Sequence, residues 1–313
     1  MKYYYCVECP QTPELVYDDS TKPDNFICQR AECPGNGLTG LVIEAPYPGG
    51  GGTKVPIAQE VGLCVLLMDA SGSMFFDPAF KGQRFPSTFG NAFLNKAEMV
   101  SKCAANAIFQ LKDISLKKHQ EAYIMAIKFD HNQSLMFLKP IKELIQEFGE
   151  AVNFAKYLYE ELEQMKGGTN INSALEMAYS FISKFKEGNI PGIGDFEPMY
   201  DSIHLPNKGG DYEIPNIRAM IYTDGEQLAE YGALQNPFME HDPDLLLGAF
   251  IGDQSEVGCD QLRNIVSKCP IHNQDQFFII DSPQSQSTLR RLFRMASDAS
   301  GFCPSCIAPT QLR

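Results

Sequence analysis

Residues 61–68 read Val-Gly-Leu-Cys-Val-Leu-Leu-Met, an apolar run with little alternation that stops at Asp69-Ala70-Ser71-Gly72-Ser73. A strand with one face in water alternates apolar and polar residues. A run that does not alternate has to be covered on both faces, as in a parallel sheet flanked by helices. It is also far shorter than the roughly 20 residues of a bilayer-spanning helix, and no longer apolar run exists elsewhere.

The chain downstream keeps to this plan. Phe93–Asp113 has helical spacing, with Phe93, Ala97, Val100, Ala104, Ile108 and Leu111 on one stripe. Ala122–Phe129 and Ser134–Leu138 read as strands. Leu144–Met165 reads as one long helix, and Ser173–Phe185 as another with Asn172 as its N-cap. Ile217–Tyr222, Leu245–Ile251 and Gln276–Ile280 are short apolar strands, and Cys259–Ser267 and Thr288–Ala299 read as helices. Strands alternating with helices predict an α/β fold over residues 57–299, a doubly wound and mostly parallel sheet flanked by helices.

Ligands of such sheets bind at the carboxyl ends of the strands. Here those ends carry chemistry. The run 61–68 leads into Asp69-Ala70-Ser71-Gly72-Ser73, and Ile217–Tyr222 leads into Thr223-Asp224-Gly225. The helix ending near Met165 runs into Gly167-Gly168-Thr169-Asn170, a loop on the same edge. Asp69, Ser71, Ser73, Thr169 and Asp224 thus offer two carboxylates and three hydroxyls. Oxygen donors with few charges suit a hard cation such as Mg²⁺, with Mn²⁺ or Ca²⁺ as alternatives. Two carboxylates nearly neutralise a divalent ion, so an incoming carboxylate meets little repulsion.

Asp-x-Ser-x-Ser after the first strand, a later Gly-Gly-Thr loop and Thr-Asp-Gly after a later strand together resemble the metal-ion-dependent adhesion site of the von Willebrand factor A family. The resemblance covers residues 57–299. It implies a Rossmann-like fold in which Asp69, Ser71, Ser73, Thr169 and Asp224 hold the cation. It further implies a binding role without catalysis, the ligand being an Asp or Glu side chain of a partner protein. Among family members the chain resembles the intracellular bacterial ones, such as the TerY-like proteins of tellurite-resistance and stress systems, which often act beside kinases, phosphatases or ATPases. An adaptor subunit of an AAA-type ATPase or chelatase machine is the alternative, and nucleic-acid binding through a zinc ribbon a further one.

Two segments flank this site. Phe75–Asn91 holds Phe75, Phe76, Phe80, Phe85 and Phe89 among prolines and glycines, and residues 226–243 hold Tyr231, Phe238, Met239 and His241. Each is either an aromatic surface that grips a partner or a local packing cluster. A third insertion, Glu187–Pro215, follows a helix that starts at the site and is expected on the opposite face.

The ten cysteines add a second chemistry. Cys6-x2-Cys9 and Cys28-x4-Cys33 have the form of a zinc-ribbon-like module over residues 1–45. Four thiolates close a tetrahedral site that staples a segment too poor in apolar residues to fold alone. Residues 46–56, Pro-Tyr-Pro-Gly-Gly-Gly-Gly-Thr-Lys-Val-Pro, are expected to be a linker. Its Gly-Thr-Lys order lacks the Gly-Lys-Ser/Thr of a phosphate-binding loop. Cys303-x2-Cys306 lies in a tail over residues 300–313. Together with Cys269 and His272 it is a candidate second zinc site; an exposed dithiol or a cluster shared with another chain are its rivals. Cys64 and Cys103 fall on apolar faces and are expected in the core.

Met1–Pro10 has no apolar stretch of the kind an export signal needs, and paired cysteines in a reducing compartment read as metal ligands, so a cytoplasmic location is expected. The formal charge of −13 removes the basic footprint that nucleic-acid binding needs, and anionic membranes would repel the chain. None of the five histidines sits in a motif pairing it with a Ser or Cys nucleophile.

Overall fold

The structure, a computed structural model, describes residues 3–6, 16–18, 20, 42–45, 60–110, 120–190, 194–205, 210–239, 245–283 and 285–286. The chain divides into two compact units, Met1–Ala58 and Gln59–Arg313.

The first unit contains β1 (Tyr3–Cys6), β2 (Val16–Asp18) and β3 (Val42–Ala45). They form an antiparallel sheet in the order β2-β1-β3, with Cys6 opposite Val42. Cys9, Cys28 and Cys33 lie outside the described residues, as does the linker over residues 46–56.

The second unit begins with β4 (Glu60–Asp69), α1 (Gly72–Phe76), α2 (Lys96–Gln110), β5 (Gln120–Phe129) and β6 (Gln133–Pro140). Next come α3 (Ile141–Phe148), α4 (Ala151–Glu163) and α5 (Ile171–Lys186). Short strands follow: β7 (Asn189–Ile190), β8 (Gly194–Asp195), β9 (Glu197–Pro198), β10 (Tyr200–Leu205) and β11 (Gly210–Pro215). The unit continues with β12 (Ile217–Thr223), β13 (Leu246–Phe250), α6 (Val257–Ile265) and β14 (Phe277–Ile279).

The main sheet runs β14-β13-β12-β4-β5-β6. All neighbours are parallel except β5 and β6, which are antiparallel. This is the doubly wound order with the first strand, β4, at the centre. The direction of winding reverses between β4 and β12, the position at which such sheets open a crevice for ligands.

The absence of alternation in β4 has its explanation in the two cores. Cys64, Leu66 and Met68 pack on one face with residues of α2 and α4. Val61, Leu63, Val65 and Leu67 pack on the other with residues of α5 and α6. Cys64 and Cys103 are buried in the first core, as expected. Burial pushes the Cys64 thiol up to about 12, so it stays a protonated packing residue.

Three expectations need correction. Leu144–Met165 is two helices: α3 ends at Phe148, and Gly149 turns the chain at φ 67° before α4 begins. That backbone conformation favours glycine, and the Gly149 N–H still satisfies the Ile145 carbonyl as it turns. The N-cap of α5 is Asn170, whose side chain accepts from the Ser173 N–H. Asn172 lies inside the helix and instead binds the carbonyls of Tyr231 and Ala233 and the Gln235 N–H. Finally, α2 begins at Lys96, not Phe93.

The insertion after α5 sits where it was expected. Its strand β9 pairs with Glu60 and Val61, the start of β4 and the end of the sheet opposite Asp69. The expected helix Thr288–Ala299 and tail 300–313 lie outside the described residues, and no helix among the described ones is long and apolar enough to cross a membrane.

Candidate metal centre

Asp69 is the last residue of β4 and fully buried. Its Oδ1 accepts the Ser71 N–H at 2.7 Å, which turns the chain into α1. Its Oδ2 accepts the Thr223 hydroxyl at 2.5 Å, which ties the end of β4 to the end of β12. Ser71 Oγ stands 3.2 Å from Ser73 Oγ, and Ser73 Oγ donates to Asp224 Oδ1 at 2.7 Å. These five residues of the two strand-end motifs therefore meet across the switch point, although up to 155 positions separate them in the chain (224 − 69).

Thr169 arrives from the third loop. It is buried, and a Cβ added to Gly225 would lie 2.5 Å from its Oγ1. Glycine at 225 is what lets the threonine hydroxyl reach the Asp224 turn. The loop is held by its backbone: Gly72 N–H donates to the Gly167 carbonyl at 3.1 Å and Lys166 N–H to the Ala70 carbonyl at 2.9 Å.

Residues that sequence reasoning passed over complete this frame. Asp130, just past β5, accepts the Gly167 N–H at 2.9 Å, and His131 Nε2 accepts the Gly168 N–H at 2.9 Å. His131 Nδ1 in turn bonds the Tyr231 hydroxyl. Gln227 Oε1 accepts the Ile171 N–H at 2.7 Å, satisfying the first turn of α5. Lys96 Nζ donates to Asp224 Oδ2 at 2.6 Å and lies 3.8 Å from Asp77. Asp130 follows the same strand-end rule that singled out Asp69. Lys96 gave no signal, because it fell off the apolar stripe of a stretch read as helical from Phe93.

Burial pushes the Asp69 carboxyl up to about 7, with the Asp224 charge adding to it against bonds from Thr223 and Ser71. Burial raises Asp224 as well, opposed by Lys96 and Ser73. Two carboxylates withdrawn from water this way are costly until a cation compensates them. The donor chemistry fits a hard divalent ion. Neighbouring oxygens around octahedral Mg²⁺, with bonds of 2.0–2.1 Å, lie about 2.9 Å apart. The Ser71–Ser73 and Ser73–Asp224 separations of 3.2 and 2.7 Å bracket that spacing.

The Phe75–Asn91 segment is mainly a packing cluster. Phe75 and Phe80 are buried, and Phe85 and Phe89 pack against the core. Glu98, fully buried, anchors the segment by accepting from Ser87 Oγ at 2.6 Å, Thr88 N–H at 2.9 Å and Asn91 Nδ2 at 3.1 Å. Burial pushes the Glu98 carboxyl up, but these bonds outweigh it and hold it below its ordinary value. Phe76 is different: it is 69% exposed, three positions past Ser73. Of the later segment, Phe238 is buried, Met239 is exposed, and His241 lies outside the described residues.

At the amino end of the sheet, the turn before β14 brings Cys269 and His272 together. Cys269 Sγ is 3.6 Å from His272 Nδ1 and accepts the His272 N–H at 3.4 Å. The turn closes through Cys269 N–H to the Gln274 carbonyl at 2.7 Å, with Asn273 at φ 55°. Cys303 and Cys306 lie outside the described residues. Among the described residues no group of three or more His, Cys, Asp and Glu is placed to hold a metal by itself.

No model of a protein family matches the chain, and no curated protein does. Solved structures similar to it include a von Willebrand factor type A protein from Catenulispora acidiphila, at 13% identity and a TM-score of 0.42. That match covers 76% of this chain and 43% of the other. Proximal thread matrix protein 1 from the mussel byssus, with a zinc-occupied MIDAS motif, matches at 12% identity and 0.39, covering 75% and 46%. An aerotolerance-related membrane protein from Bacteroides fragilis NCTC 9343 matches at 12% and 0.37, covering 75% and 98%. The chain thus spans less than half the length of the first two.

Proposed function

We propose that the chain is a non-catalytic, divalent-cation-dependent protein-interaction module that captures an Asp or Glu side chain of a partner protein. The observation that supports this reading most is the meeting of Asp69, Ser71, Ser73 and Asp224, with Thr169 against Gly225, at the topological switch point. Asp69, Ser71, Ser73, Thr169 and Asp224 would hold Mg²⁺, or Mn²⁺ or Ca²⁺ in its place. When bound, the cation offers a coordination position to an incoming carboxylate.

The chain's own residues supply the rest. Thr223 and the Ser71 N–H orient Asp69, and the Asp130 carboxylate and His131 hold the Gly167–Thr169 loop in place. The exposed Phe76 ring gives the partner an apolar anchor beside the charged contact. On the family resemblance, the role is that of a cytoplasmic adaptor or scaffold in a stress or signalling complex with a kinase, phosphatase or AAA-type ATPase. Zinc at Cys6, Cys9, Cys28 and Cys33, and at Cys269, His272, Cys303 and Cys306, would be structural.

Affinity capture tests the reading, using wild type and Asp69→Ala with Mg²⁺ and with EDTA. Partners retained only by wild type in Mg²⁺ support it. The same partners under all four conditions would rule out a metal-bridged contact.

A further inference from the structure

Lys96 is the first residue of α2, and its ammonium is nearly buried against Asp224. Both placements go against local preference. The first turn of a helix carries the positive end of its dipole and disfavours a cation. A lysine head withdrawn from water loses hydration. The 2.6 Å contact to Asp224 Oδ2 is the compensation, and it leaves Asp224 Oδ1 to Ser73. Asp77 also faces the ammonium, but at 3.8 Å from a side chain 59% exposed, where water screens it. A residue set against its helix and its solvation in this way is of the kind found at functional sites.

Its consequence is a matter of charge. Asp69 and Asp224 alone would bring a divalent cation to neutrality, and a neutral centre attracts a carboxylate little more than it attracts a carbonyl. With Lys96 in place the loaded centre keeps one positive charge in a partly desolvated crevice, where that charge acts strongly on an arriving anion. We propose that Lys96 sets the charge of this site, lowering its affinity for the cation and raising that of the loaded site for a carboxylate-bearing ligand. The proposal rests on the metal-dependent reading above and adds to it the residue that makes the site selective for anions.

The two effects have opposite signs, which a merely structural lysine would not produce. The full chain is compared as wild type, Lys96→Met, Lys96→Gln and Lys96→Arg. Mn²⁺ affinity is read from free-ion magnetic resonance, and acetate affinity of the Mn²⁺-loaded protein from the loss of water-proton relaxation. The expected result for Lys96→Met is Mn²⁺ bound about tenfold tighter and acetate about tenfold weaker. Lys96→Gln should follow it, and Lys96→Arg should restore both values. Circular dichroism identifies any variant that misfolds, and the other neutral variant then carries the comparison. If wild type binds no Mn²⁺, the metal-dependent reading fails and this inference with it. If wild type binds both probes and the neutral variants shift neither, or weaken both together, only the role of Lys96 is overturned.

Discussion

The two ends of the central sheet carry opposite coordination chemistries. At the carboxyl end every candidate donor is an oxygen, drawn from three loops; Ser73 is half-buried and the other four are buried, with Asp69 tied to Thr223 and Asp224 shared between Ser73 and Lys96. At the amino end, one short turn pairs a buried thiol with an imidazole, Cys269 with His272. The first arrangement suits a hard ion that exchanges and keeps a place for a ligand; the second offers two of the four donors that a structural zinc needs. The difference follows from topology. Parallel strands deliver many separate loops to the crevice at the switch point, whereas the turn before β14 brings its own pair by local folding.

The comparison breaks most visibly at the amino end. Cys269→Ser, and separately Cys303→Ser, should each lower the zinc content of the full chain by one ion in elemental analysis. Neither should change the melting shift caused by Mg²⁺. Unchanged zinc content in both would remove the second site from the account.

At the carboxyl end, Glu98→Ala should cost about 2–4 kcal/mol in denaturant unfolding, because it strips several bonded groups of a buried charged acceptor. A loss below about 0.5 kcal/mol would mean that the Phe75–Asn91 segment is not anchored there.

The pH dependence probes the carboxyl end directly. In the metal-free fold the Asp69 carboxyl rises from 3.8 to about 7. Between those values the folded chain holds a proton that the unfolded chain has released. Stability of the EDTA-treated protein should therefore fall as pH rises from about 4 to 7, and Mg²⁺ should stabilise it most at the upper end of the window. Thermal melts across that range check the sign. Stability that rises instead would contradict the burial of an uncompensated carboxylate.

Gly225→Ala should weaken Mn²⁺ binding by about tenfold, since the added methyl displaces the Thr169 hydroxyl. Phe76→Ser should do least. Its ring is exposed, so stability should change by under about 0.5 kcal/mol and metal affinity not at all, while capture of the partner weakens.

Much of this was legible in the chain. The unalternating run 61–68 announced a strand covered on both faces, and the motifs at Asp69, Thr169 and Asp224 followed from asking what stands at strand ends. The missing parts have physical reasons. The apolar spacing of α3 carries on into α4, so nothing in the pattern marks the break; only the φ of Gly149 does. Asn170 and Asn172 are equivalent as N-caps by composition, and tertiary bonds from Asn172 to Tyr231 and Ala233 decide between them. Lys96 carried no signal of its own inside the helical stretch Phe93–Asp113, and its pairing with Asp224 crosses 128 positions. Phe75, Phe80 and Phe76 share a composition, yet two are buried and one is exposed.

The central claim is that Asp69, Ser71, Ser73, Thr169 and Asp224 form one cation site. Equilibrium Mn²⁺ binding to the full chain near pH 7.5, competed with Mg²⁺, tests it most directly. Wild type should bind one Mn²⁺ that Mg²⁺ displaces, and Asp69→Ala, folded by circular dichroism, should bind none. Equal binding by the two proteins, or none by wild type, would contradict the account.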